Sequence, residues 1–227
     1  MVLAREDWFE EVCAALVFGE ADMQNFWELL VITGIQPDHF RSTFSNFEDR
    51  YTKGFYKTLM QIKEDVLAEK LRKNFVFLCG SSGCGKTHFL VSLFRAKVAV
   101  DKGVMGADRA LYIQFPLLVQ EIIAGFDKVK STRIGLLKYL EAKWLFLDDL
   151  SKAERVVDEG RIEYQIFKDT LLDRFENRRY LLMSSNYTSI ELRRLIKSVY
   201  GEYMFSRVDN NCLWVDFPKA DFRKGST

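Results

Sequence analysis

The sequence predicts an α/β fold, a parallel sheet with helices on both faces, preceded by a short helical arm. Three observations carry the prediction. Short apolar runs alternate with longer stretches of helical spacing, the rhythm of βα units rather than of hairpins. The first clear apolar run ends in a glycine-rich turn that opens directly into a helical stretch. The length, 227 residues, suits one full α/β domain with a small appendage and falls short of two ordinary domains.

The elements follow in order. Residues 4–33 read as one or two short helices, with Trp8, Val12, Ala15 and Leu16 on one face, then Phe26, Trp27, Leu30 and Val31. Gly19 and Gly34 are stops, and Pro37 begins a connector that leads into Arg41-Ser-Thr-Phe-Ser-Asn-Phe47. From Tyr56 to Lys73 the spacing of Leu59, Ile62, Val66 and Leu71 predicts an amphipathic helix. Phe75–Cys79 is short, apolar and closed by glycine, as a buried parallel strand is. A helix is expected over Lys86–Lys97, a strand over Ala110–Phe115 and a helix over Pro116–Phe126. Asp127–Lys143 is basic and helical in pattern. Trp144–Leu147 reads as a strand, Glu163–Phe175 as a helix, Arg179–Met183 as a strand and Ile190–Tyr200 as a helix. Leu213–Phe217 closes the chain as a last strand, and no internal repeat or low-complexity segment is present.

Apolar residues make up 48% and charged residues 29%, which excludes disordered and fibrous classes. The net charge of +1 conceals a division: residues 1–40 hold eight acids and one base, whereas 41–227 hold 32 bases and 24 acids. That pattern points to a protein partner for an acidic arm and to a polyanion for a basic body. No run reaches the roughly 18 apolar residues of a membrane helix, and acids follow the first residues where a signal peptide would be apolar. Cys13, Cys79, Cys84 and Cys212 form no CxxC pair, and with His39 and His88 they make no zinc spacing. Scattered thiols suit a reducing, cytoplasmic setting.

Three motifs carry chemistry. Gly80-Ser81-Ser82-Gly83-Cys84-Gly85-Lys86-Thr87 fits the P-loop pattern GxxxxGK[ST] without mismatch. Glycines at 80, 83 and 85 let consecutive backbone N–H groups face the phosphates of a nucleoside triphosphate. Lys86 adds fixed positive charge, and the Thr87 hydroxyl is a ligand for Mg²⁺. Trp144-Leu-Phe-Leu-Asp148-Asp149 ends an apolar strand in two acids, which sets Asp148 beside Mg²⁺ and Asp149 near an attacking water. Asp149 is shorter by one methylene than the Glu common at that place, so slow turnover is expected. Leu181-Leu-Met-Ser-Ser-Asn186 ends a third strand in an amide able to hydrogen-bond the water or the γ-phosphate.

Thr43–Phe47, Gly80–Thr87 continuing into His88-Phe-Leu, Leu147-Asp-Asp-Leu150 and Ser184-Ser-Asn186 together resemble the AAA+ ATPases of the DnaC/DnaI/IstB group, which load replicative helicases or assist transposition. The resemblance spans residues 41–227 and implies an AAA+ P-loop NTPase core of the initiator clade, related to DnaA, behind an arm over 1–40. It implies ATP and Mg²⁺ as cofactors, with His88 extending the nucleotide site. It implies that Arg207, in Gly201-Glu-Tyr-Met-Phe-Ser-Arg207, is an arginine finger acting on a neighbouring subunit's ATP, hence self-association through the ATP sites. Arg223, in Asp221-Phe-Arg223, matches the sensor 2 arginine, with Asp-Phe where the group has Ser-Tyr. Lys128, Lys130, Arg133 and Lys138 fall where initiator-clade proteins meet single-stranded DNA; a solvated basic face is the other reading. Phe44 and Phe47 either flank the base or pack in the core, and the arm either caps the core or docks a partner.

The function so implied is a loader or regulator of a replicative, DnaB-like helicase on single-stranded DNA. The alternatives are an IstB-like transposition helper partnered by a DDE transposase, and a DnaA-like initiator regulator. A small-molecule kinase would need an acceptor site and an arginine-rich lid. A superfamily 3 helicase fragment would need an added oligomerisation domain.

Overall fold

The computed structural model describes residues 35, 39, 42–44, 47, 53–101, 110–125, 132–150, 161–219 and 221–222. The expected helices of the arm lie outside the described residues, as do Lys128, Lys130 and Arg223.

Eleven elements are described: α1 (Lys53–Leu67), β1 (Phe75–Cys79), α2 (Lys86–Val100), β2 (Ala110–Gln114), α3 (Phe115–Gly125), α4 (Thr132–Glu141), β3 (Trp144–Leu150), α5 (Ile162–Glu176), β4 (Tyr180–Ser185), α6 (Ser189–Asn210) and β5 (Cys212–Asp216). The strands form one all-parallel sheet in the order β2-β3-β4-β1-β5. β4, late in sequence, therefore lies between β1 and β3. The chain ends of those three strands meet at one edge, where open α/β sheets bind ligands.

Alternation along the strands divides the core into two layers. Phe75, Phe77 and Cys79 face one side with residues of α3, α4, α5 and α6. Val76 and Leu78 face the other with α1 and α2, where Phe89, Leu90, Leu93 and Phe94 are fully buried. Both sheet faces are apolar because both are covered, which is why the strands read as continuous runs rather than alternating ones. Ile35 and Phe47 are buried in the α1–α2 layer, so the segment before α1 contributes to the core.

Several boundaries differ from the sequence expectation. α1 stops at Leu67 because Glu69 takes a left-handed φ of 55°, while Lys70 N–H donates to Asp65 O at 2.7 Å. Leu71 keeps helical spacing but packs on the core from beyond the helix. Phe115, expected to end β2, instead starts α3 beside Pro116, whose fixed φ suits a first helical turn. α6 runs on past Tyr200 to Asn210, with a break at Gly201 (φ 81°, ψ 169°). Its start is fixed by a capping box: Thr188 N–H donates to Glu191 Oε2 at 2.8 Å, and Glu191 N–H to Thr188 Oγ1 at 3.3 Å.

Fully buried Arg174 closes the end of α4, donating to the carbonyls of Tyr139 and Ala142. Desolvation lowers its pKa to about 9; the helix C-terminus it faces favours the cation.

Candidate functional site

β1 delivers the chain to the P-loop, and Gly80, Gly83 and Gly85 all adopt positive φ, at 139°, 81° and 93°. Only glycine takes such values routinely. A Cβ at Gly83 would also lie 2.2 Å from Asp221 Oδ1, so the tail residues leave no room there for a side chain. The tail holds the loop through main-chain bonds, Phe217 N–H to Cys79 O at 2.8 Å and Phe222 N–H to Gly83 O at 3.1 Å.

Gly85 is the N-cap of α2 and supplies no side-chain cap, so the first amides of α2 stay available to an anion. Lys86 is 5% exposed. Its Nζ donates to Gly80 O at 2.8 Å, Ser81 O at 2.7 Å and Asn186 Oδ1 at 3.1 Å. Asn186 itself is exposed at the end of β4. Gly80 N–H donates to Tyr187 O at 2.9 Å, a second tie between the P-loop and the β4 exit. Ser81 and Ser82 face solvent or its edge, whereas Cys84 is fully buried below the loop, its Sγ 3.6 Å from Lys86 Nζ. The Cys84 side chain thus packs in the core, and a phosphate can meet this residue through its backbone.

The acidic pair sits on a bulge. Leu147 of β3 pairs with Met183 and Leu150 with Ser185, so Asp148 and Asp149 together stand opposite Ser184. Asp149 absorbs the extra residue with a φ of 60°, a conformation Asp tolerates better than most side chains. The bulge gives the two acids different surroundings: Asp148 is 1% exposed, while Asp149 is half-buried.

Asp148 Oδ1 accepts from Thr87 Oγ1 at 3.2 Å and from the Ser184 hydroxyl. Its Oδ2 accepts from the Tyr112 hydroxyl at 2.8 Å. Ser184 Oγ also accepts from the Asp149 N–H at 3.0 Å. The motif spacing gave no sign of Tyr112, because a Tyr in a strand reads as core and its reach to Asp148 depends on the pairing of β2 with β3. The alternation of Tyr112 and Gln114 on one face is the signal that was there to use.

Thr87 and Asp148 present hard oxygen donors side by side, the donor type Mg²⁺ takes. Among the described residues no group of three or more His, Cys, Asp and Glu side chains could hold a metal ion.

The other candidate residues are dispersed. His88 lies in the first turn of the site helix, with Nε2 3.1 Å from Thr43 O and its ring 5.3 Å from that of Phe47. Phe47 is buried against Phe89, and half-buried Phe44 packs edge-on to Phe89 beneath Lys63. Arg207 lies on α6 beyond the Gly201 break, its guanidinium 3.7 Å from the Tyr203 ring centre and 4.9 Å from that of Phe175. Lys138 pairs with Glu121 at 2.8 Å on the surface, and Arg133 lies in α4.

No family model matches the chain, and no curated protein matches it in sequence. Solved structures do match. The DnaC helicase loader aligns at a TM-score of 0.62 and 18% identity, over 81% of this chain and all of that one. DnaI aligns at 0.59 and 17%, over 83% of this chain and 94% of that one. The replication initiator DnaA bound to AMPPCP and single-stranded DNA aligns at 0.55 and 19%, over 82% of this chain and 52% of that one. The fold is therefore the one shared with the DnaC helicase loader, DnaI and the DnaA core. At these identities the likeness speaks for architecture alone.

Proposed function

We propose that the chain binds and hydrolyses ATP with Mg²⁺ and acts in DNA replication as a loader or regulator of a replicative helicase on single-stranded DNA. The observation that carries the nucleotide part is the convergence of Lys86, Thr87, Asp148 and Asn186 at one sheet edge, linked by hydrogen bonds of 3.1 and 3.2 Å. The P-loop amides and Lys86 would hold the phosphates, Thr87 and Asp148 would hold the ion, and Asp149 and Asn186 would orient water. The ion, when bound, offsets charge on the phosphate oxygens. The division between buried Asp148 and half-buried Asp149 supports separate tasks for them. Arg207 would serve the site of a second copy.

The replication part draws on the likeness in fold to DnaC, a helicase loader, and to DnaA, solved with AMPPCP and single-stranded DNA. The acidic residues 1–40 are the candidate docking element, and the basic set Lys128, Lys130, Arg133 and Lys138 the candidate DNA contact. No helix among the described residues is long and apolar enough to cross a membrane.

The test uses the full-length protein as bait in an ATP-supplemented pull-down from its own host, read by mass spectrometry. A hexameric replicative helicase in the eluate, reduced when residues 1–40 are deleted, is the expected result. A DDE transposase without helicase would overturn the loader reading in favour of a transposition helper.

A further inference from the structure

Asp148 is gripped from both neighbouring strands, and the grip is not part of the P-loop or of the acidic motif. Gln114, Asp148, Ser184 and Leu78 form one row across β2, β3, β4 and β1 on the α2 side of the sheet. From the β4 side Ser184 spans the bulge, donating to Asp148 Oδ1 and accepting from Asp149 N–H. From the β2 side Tyr112, 2% exposed, reaches past its own register partner Phe146 to donate to Asp148 Oδ2 at 2.8 Å. Its ring is fixed by Phe94, 5.6 Å away.

A carboxylate on a bulge, beside a residue with positive φ, is free to rotate unless something fixes both oxygens. With Ser184 and Tyr112 bound to opposite oxygens, only one rotation of the carboxylate satisfies both, and it turns Oδ1 toward Thr87. We propose that Tyr112 is a positioning residue for the metal site, holding Asp148 in the rotation that a Thr87-bound Mg²⁺ requires. Ser184 is its counterpart on the opposite strand. This rests on reading the site as one for Mg²⁺ and a nucleoside triphosphate. A group that orients a metal's protein partner from behind acts on metal affinity about 10-fold or more. A buried phenol that merely satisfied its own hydroxyl would act on stability alone.

The experiment titrates full-length wild type and Tyr112→Phe with a fluorescent ATP analogue, in EDTA and across a Mg²⁺ series, with melting temperatures measured alongside. The expected result is a rise of about 10-fold or more in the Mg²⁺ concentration giving half of the Mg²⁺-dependent gain in affinity. A folded Tyr112→Phe with an unchanged Mg²⁺ requirement overturns the proposal, whatever its melting temperature. Should Tyr112→Phe not fold, Ser184→Ala removes the opposite donor. The same shift is expected of it, and its absence overturns the proposal equally. A wild type that binds no nucleotide overturns the underlying site reading and this proposal together. A Mg²⁺-responsive wild type beside an unaltered variant overturns the proposal alone.

Discussion

Lys86 Nζ, at the start of α2, donates to Asn186 Oδ1 at 3.1 Å across the gap between the P-loop and the end of β4. The contact is possible because β4 inserts between β1 and β3, which sets a neutral polar tip beside the candidate phosphate charge. Asn186 offers a donor as well as an acceptor, so it can hold water while Lys86 holds phosphate. Asn186→Ala is expected to leave ATP affinity within about threefold of wild type and to slow hydrolysis about 100-fold, the cost of one oriented donor. Equal losses in binding and hydrolysis would place Asn186 in binding alone.

Arg207 is stacked on Tyr203, itself 67% exposed, with the Phe175 ring centre 4.9 Å away and Glu176 Oε1 3.9 Å from its Nη1. These contacts fix the guanidinium at the protein surface. Arg207→Ala is expected to bind ATP as wild type does and to lose assembly-stimulated hydrolysis by about 10³-fold. Mixing it with Lys86→Ala should restore part of that rate, since each variant supplies what the other lacks. Loss of ATP affinity in dilute, monomeric Arg207→Ala would contradict action in trans.

Cys84 lies fully buried beneath the P-loop, so alkylation must wait for the loop to open. Desolvation pushes the Cys79 thiol up to about 12 and raises that of Cys212 well above the ordinary thiol range, which leaves both unreactive in the native fold. Slow labelling of Cys84 by iodoacetamide, slowed further by ATP, is the expected course. Complete modification should abolish ATP binding because the adduct has no space beside Lys86. Full ATP affinity after complete modification would refute the placement.

Glu69 joins α1's end to the sheet, accepting from Lys143 at 2.5 Å and from buried Lys97 at 3.0 Å. The Lys143 hydrogen bond leads in lowering its pKa to about 2, burial opposing and Lys97 assisting. A folded-state pKa below the unfolded one means the stabilisation is complete above about pH 4.5 and disappears as pH falls toward 2. Glu69 is 38% exposed, so screening limits the effect to about 1 kcal/mol. Glu69→Gln should flatten the fall in melting temperature between pH 4.5 and 2, and an unchanged acid profile would assign that fall to other carboxylates.

Much of the architecture was legible because it rests on local periodicity. The five apolar runs map onto β1–β5 within a few residues, and P-loop glycines announce their conformation since no other residue takes φ of 81–139° easily. What stayed illegible depends on pairing between distant segments. The end of α1 turns on a left-handed Glu69, a residue with no intrinsic preference for it. The bulge at Asp148 and Asp149 exists only in the register of β3 against β4. Tyr112 looks like a core tyrosine until β2 lies beside β3. The burial of Cys84 likewise follows from the direction in which the loop turns, which spacing alone does not encode.

The central claim is a nucleoside triphosphate site built on Lys86, whose Nζ lies within 2.8 Å of the Gly80 and Ser81 carbonyls. Calorimetric titration of Mg²⁺-ATP into full-length wild type and Lys86→Ala tests it most directly. The site described here predicts saturable, near-stoichiometric binding to wild type and no detectable heat of binding for a folded Lys86→Ala. Equal affinity in the two proteins, or none in either, would contradict it.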